Sequence, residues 1–294
     1  MGIESGPLGL LPSGGPLYKL YARIPYAWIG GVGIRPAIRF TVLTNGGHGM
    51  LTEITTEEFA AALDAVVEQT LDEAHILGPP VDSLTVAGRL GIAVAWDERQ
   101  EGRGRCVRLG GYADRAARPA ILVRPDQRHE REHWAVAHEI GEHVAHRVFT
   151  ALSVDPAEAP VGARETIANR LAARLLLPTR WLFDAVIESG WDLTHLKMAF
   201  ASASHELIAR RMLDFAPPII VTVYDQGQIT FRRSNVPGRV PSPSAIESRC
   251  RDEAHRRGEP VAGNDGPIEI TAWPVHEPHW RREIVRTALA EWDY

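Results

Sequence analysis

The run His138-Glu139-Ile140-Gly141-Glu142-His143 holds the residue types and spacing most able to do chemistry. On a helix, residues four apart stand nearly above one another, offset by about 40°. His138, Glu142 and His146 therefore share one edge, beside an apolar arc of Trp134, Ala137, Gly141, Val144, Ala145 and Val148. An imidazole and a carboxylate one turn apart against an apolar wall have the placement of two metal ligands. Glu139 follows the first ligand directly, where a metalloprotease helix carries its general base. The zinc-protease signature sets a second His four residues after the first, and this chain has Glu142 there. His143 lies about 100° further round and reaches a metal only through a local bulge. Carboxylate oxygen is an accepted zinc ligand, so Glu142 is the expected second ligand and His143 the fallback. Taken alone, the motif also fits an amphipathic helix whose polar face is rich in His and Glu.

A third ligand has to come from elsewhere in the chain. After a Pro- and Ala-rich loop (153–163), a long helix is expected from Arg164 to Leu177, stopped by Pro178. Ile167, Ala168, Leu171, Ala172, Leu175 and Leu176 make its apolar face, and Glu165 stands at that face's edge, placed to turn inward as the third ligand. A Glu in a first helical turn also simply complements the helix dipole.

Other elements must hold these helices in place. Residues 1–49 are rich in Gly and Pro and poor in charge, which suggests a disordered extension, with translation from an upstream start codon as one origin. Ile38 to Leu43 has strand character but no evident partner. Thr55 or Thr56 caps a helix carrying Phe59, Leu63, Val66 and Leu71. A short helix from Ser83 to Leu90 ends at Gly91. Strands follow at Ile92–Trp96 and Arg118–Val123, with a ragged one around Cys106–Leu109. A sheet beside the metal helix is expected, because an edge strand can hold an extended peptide through its backbone.

Beyond Pro178, Thr179 is expected to cap a helix from Arg180 to Glu188. Helices at Asp192–Phe200 and Ser202–Phe215 then outline a helix-turn-helix, with Arg210 and Arg211 as local positive charge. A hairpin at Ile219–Tyr224 and Ile229–Arg233 has the look of a wing. A DNA-binding unit is conceivable, although Glu206 and Asp214 weaken it. The remainder holds a charged helix (Ala245–Arg257), a strand (Ile268–Trp273) and a closing amphipathic helix over 280–292, with Trp280, Ile284, Thr287, Leu289 and Trp292 on its apolar side.

The composition narrows the functional classes. In 294 residues the hydrophobic share is 45% and the charged share 23%, those of an ordinary globular protein. A formal net charge of −5 provides no basic field for nucleic acid. Cys106 and Cys250 make neither a disulfide framework nor a zinc ribbon and fit a reducing compartment. No run is apolar enough for a bilayer span and no Gly-rich phosphate loop is present. A cytoplasmic location without membrane association is expected.

Three separated pieces together resemble one family, the ImmA/IrrE group of bacterial metallopeptidase-like proteins. They are Pro79-Pro80-Val81-Asp82 with Ala87-Gly88-Arg89-Leu90-Gly91-Ile92, the run Arg131 to Gly141, and the run Glu165 to Pro178. Phe200 to Leu213 is similar to the helix that follows in the family, and the likeness spans about Glu53 to Asn235. The resemblance implies an α+β fold with a zincin-like metallopeptidase domain, a small mixed sheet packed on metal-binding helices. It implies zinc held by His138, the residue at 142 and Glu165, with Glu139 as base. It also implies a role in cutting or controlling transcriptional repressors. The expected organisation is an extension (1–49), a zincin-like domain (50–190), a helical pair plus hairpin packed on it (191–235) and a C-terminal extension (236–294).

Position 142 bears on the chemistry. Two His and one Glu around a divalent ion leave a net charge of about +1, whereas one His and two Glu leave it near zero. A less positive centre lowers the pKa of water less, and each 1.36 kcal/mol of barrier is about tenfold in rate. An oxygen-rich site also suits manganese or iron beside zinc. Two readings follow. One is an endopeptidase acting on a repressor or other regulatory protein, its water activated by the metal and Glu139. The other is a regulatory or toxin–antitoxin-type binding protein that kept the fold, lost the chemistry and recognises a repressor or DNA through residues 192–215.

Overall fold

The computed structural model describes residues 38–39, 53–109, 118–215 and 218–289. The expectation of a disordered extension falls on residues outside these, apart from Ile38–Arg39 (β1). Those two pair antiparallel with Glu53–Ile54 (β2), so the strand character at Ile38 does find a partner.

Among the described residues the chain is a mixed α+β fold of eight helices and two sheets, besides the β1–β2 ladder. The first helix, α1 (Thr56–Glu73), starts with a reciprocal capping box between Thr55 and Glu58. It buries Phe59, Leu63, Val66 and Leu71, the residues its periodicity picks out. After α2 (Ser83–Arg89), capped by Asp82, come β3 (Ala93–Trp96), β4 (Gly104–Leu109) and β5 (Arg118–Val123). They form a three-stranded sheet in the order β3-β5-β4, with β3 parallel and β4 antiparallel to β5. β4 is therefore an edge strand, and α3 (His129–Ala151) packs against it and β5.

The helix α4 (Ala163–Leu176) makes with α3 the most extensive helix–helix contact. Ile140, Val144 and Val148 of α3 and Ile167, Leu171 and Leu175 of α4 are almost wholly buried in the shared core. Three shorter helices follow: α5 (Thr179–Ser189), α6 (Leu193–Ala199) and α7 (His205–Met212). Thr179 does not cap α5. Pro178 holds the cap position, while the Thr179 hydroxyl donates to Asp64 at 2.7 Å and accepts from Arg211 at 2.9 Å. Arg211 and Arg174 are both 3% exposed, and with Asp64 and Asp214 they form an ionic network joining α1, α4 and α7. Arg210 pairs with Glu206 and lies over the Phe231 ring at 4.3 Å. Of the two arginines read as local positive charge, Arg211 is thus spent inside the fold, while Arg210 is exposed and paired.

The second sheet is antiparallel, in the order β7-β6-β10-β9-β8: β6 (Ile219–Asp225), β7 (Gln228–Ser234), β8 (Val261–Asp265), β9 (Ile268–Glu277) and β10 (Trp280–Leu289). The hairpin expected as a wing is its edge, and strands from either side of residue 235 share it. α8 (Ala245–Arg257), with a Ser244–Glu247 capping box, packs on β8, β9 and β10. The closing helix expected over 280–292 is, in its described part, the strand β10. Glu283, Ile284 and Val285 are buried in succession because β10 lies between β6 and β9 with both faces covered. That run satisfies a helical and a strand reading alike, and the neighbouring strands decide it.

Candidate metal centre

The α3–α4 crossing explains how residues distant in sequence meet. Gly141 permits it: a Cβ there would stand 2.6 Å from the Ala168 carbonyl oxygen and 3.1 Å from its Cα, both backbone atoms. One turn earlier on each helix lie His138 and Glu165. Their facing atoms, His138 Nε2 and Glu165 Oε2, are 3.6 Å apart. Glu142, one turn after His138, completes the group, and one donor atom from each of the three lies within 4.8 Å of the others. His143 is not in the group. It is exposed, and α3 runs from His129 to Ala151 without a bulge to turn it inward.

Neighbours orient both carboxylates. Asn169 Nδ2 donates to Glu165 Oε1 at 2.9 Å, leaving Oε2 on the His138 side. Arg164 Nε donates to Glu142 Oε2 at 2.6 Å, and its Nη2 donates to the Glu142 carbonyl at 3.1 Å. The sequence reading missed Arg164 and Asn169. Their adjacency to Glu165 and their place one helical turn beyond it were the available signals.

Glu139, the next residue round α3 from His138, lies against the start of β4. Gly104 makes room there: a Cβ would meet Glu139 Cγ and Oε1, each at 3.2 Å. The carboxylate is buried, and burial raises its pKa above the ordinary range. The Glu142 and Glu165 charges add to the rise, while His138 and a hydrogen bond from the Cys106 backbone oppose it. A carboxylate moved toward neutrality is suited to accepting and returning a proton.

The remaining histidines have other partners. His133 Nδ1 lies 3.1 Å from the Ser83 hydroxyl, and burial lowers its pKa. His146 Nδ1 faces the His143 carbonyl at 3.1 Å. A second His/Glu group, His255, His276 and Glu283, lies in the C-terminal sheet. The helical reading of 280–292 hid it, whereas a hairpin reading of 268–289 would have put His276 and Glu283 on one face.

The His138 donor set fits a divalent ion. One imidazole nitrogen and two carboxylate oxygens converge, and two like charges are held near each other. Nitrogen and oxygen donors in that ratio suit zinc, manganese or iron.

Residues 98–213 match the family model of the IrrE N-terminal-like domain, Peptidase_M78, so the chain carries a domain of the ImmA/IrrE kind over that segment. No curated protein sequence matches the chain. Among solved structures, a Mycobacterium tuberculosis transcriptional regulator is similar in fold, with a TM-score of 0.56 at 16% identity. The likeness covers 79% of this chain and 81% of that one. No helix among the described residues is long and apolar enough to cross a membrane.

Proposed function

We propose that this ImmA/IrrE-type protein is a metal-dependent endopeptidase acting on a transcriptional repressor or similar regulatory protein. His138, Glu142 and Glu165 would hold the metal, with zinc the first choice and manganese or iron the alternatives. The observation that carries the reading is their convergence beside a buried carboxylate, Glu139, whose proton affinity is raised. When bound, the ion supplies Lewis acidity toward water and the scissile carbonyl.

The chain's own groups do the rest. Glu139 takes a proton from the attacking water as its oxygen bonds to the carbonyl carbon. It returns that proton to the amine as the carbon–nitrogen bond breaks. The edge strand β4 beside Glu139, unpaired on its outer side among the described residues, can take an extended peptide as an added strand, which brings a scissile bond to the same place. Arg164 answers the charge question at position 142. Its guanidinium restores about one positive charge next to a centre that two carboxylates would bring near zero. A repressor substrate is supported by the family resemblance, and the fold likeness to a transcriptional regulator is in keeping with a regulatory setting.

One observation favours a second reading, a binding protein without catalysis: Glu142 is already engaged by Arg164, which competes with a cation for it. DNA recognition through α6 and α7 is less favoured, since Arg211 is buried and Arg210 is paired. The experiment is cleavage of candidate repressors by wild type and Glu139→Gln, with bound metal measured in both. Equal metal and a loss of cleavage of about 10²–10⁴-fold is expected. Full activity in Glu139→Gln removes the assigned base, and a metal-loaded wild type that binds a repressor without cutting it favours the second reading.

A further inference from the structure

The antiparallel hairpin β9–β10 places Glu283 opposite Pro274 and His276 opposite Arg281. His276 and Glu283 are therefore diagonal neighbours on one face of the sheet. α8 covers that face, and its last turn brings His255 to the same point. His255 Nδ1 lies 2.7 Å, and His276 Nε2 2.9 Å, from one and the same oxygen, Glu283 Oε1. The two rings stand edge to face with centroids 5.3 Å apart. No residue of this group belongs to the His138 centre.

The carboxylate is the unusual member. Glu283 is wholly buried, and its second oxygen, Oε2, has no hydrogen-bond partner among the described residues. An ionised carboxylate sealed in this way is costly unless something positive compensates it. Two imidazoles crowding one oxygen while the other is left bare is a poor arrangement for hydrogen bonding alone. It is a good one for a cation held between two nitrogens and a carboxylate. We propose that His255, His276 and Glu283 form a second metal site, of the zinc class, that clamps α8 to the β9–β10 hairpin.

Two nitrogens and one oxygen match a three-ligand zinc site with one position left to solvent. Tetrahedral bonds of about 2.0–2.1 Å separate ligand atoms by about 3.3 Å, so the imidazole–carboxylate contacts open by about half an ångström on binding. His255 is the movable ligand. Its side chain is 49% exposed, against 0% for Glu283, which also gives the ion a way in.

Metal stoichiometry of the full chain tests this without reference to catalysis. In a His138→Ala/Glu165→Gln chain, loaded with zinc and dialysed, about one ion per chain is expected to remain, and cobalt in its place should give the strong visible absorption of a low-coordinate centre. Adding His276→Ala should weaken that binding at least about 100-fold. His255→Ala, at an exposed position, should do the same if His276→Ala disturbs the fold. The proposal is overturned if the starting double variant holds no ion, or if its metal survives both His255→Ala and His276→Ala. If single His138→Ala instead leaves the metal content of wild type unchanged, the other centre is the one that fails.

Discussion

The groups around His138 and His255 use the same side-chain types but treat their carboxylates in opposite ways. At the α3–α4 crossing, Glu165 is 62% exposed and Glu142 is neutralised by Arg164, so both charges are tolerable without an ion. In the C-terminal sheet Glu283 is fully buried, with one oxygen bonded twice and the other not at all. Exposed pairs of the first kind contribute about 0.2–1 kcal/mol, whereas a buried unsatisfied group costs about 1–3 kcal/mol. The first arrangement suits a site that water and substrate must reach. The second suits a cation that stays as part of the fold.

Four measurements break or sharpen that contrast. The largest effect is expected from metal itself. Zinc at about a hundredfold its Kd stabilises a folded chain by about 2.7 kcal/mol. The larger part of that gain in the urea midpoint should survive His138→Ala and be lost in His276→Ala, where only the His138 group still binds, and a gain that follows His138 alone would reverse the contrast. Next is Gly141→Ala, whose new Cβ meets the backbone of Ala168. It should cost about 1–3 kcal/mol and weaken metal binding at the His138 group alone, by calorimetric titration.

Acid should loosen the junction between the two regions. His205 on α7 faces Lys197 of α6, Glu130 of α3 and Arg282 of β10, and burial with the Lys197 charge lowers its pKa from 6.5 to about 4. The unfolded chain therefore binds more protons between these values, so stability is full above about 6.5 and falls as pH drops through about 4. Allowing for the partial exposure of His205, about 1 kcal/mol should be lost by about pH 5. His205→Gln should remove that part of the acid limb in melts taken across the range. The smallest effect belongs to Arg164→Gln. Freeing Glu142 from its ion pair should tighten metal at the His138 group about two- to fivefold, since the pair is exposed. Weaker binding in that variant would mean that Arg164 supports the centre.

Most elements and the His138–Glu142 pairing on one helix face were legible because their signals are local. The Thr55 cap and its apolar periodicity mark α1, the His138/Glu142 spacing marks one face of α3, and Pro178 ends α4. The failures are non-local. Trp280 to Leu289 satisfies either period, and its strand state comes from β6 and β9 on its two sides. Thr179 and Arg211 look like a cap and a surface charge until Asp64 and Asp214, far along the chain, engage them.

By itself, the sequence determined that an imidazole and a carboxylate would share a helix face with a second acid beside them, because helical geometry fixes which residues align. Only the tertiary structure decided that Glu165 meets His138, since that depends on how closely α3 and α4 approach at Gly141 and Ala168. Only it decided that His255, His276 and Glu283 converge, because three elements separated along the chain become neighbours solely through strand pairing and the burial of α8.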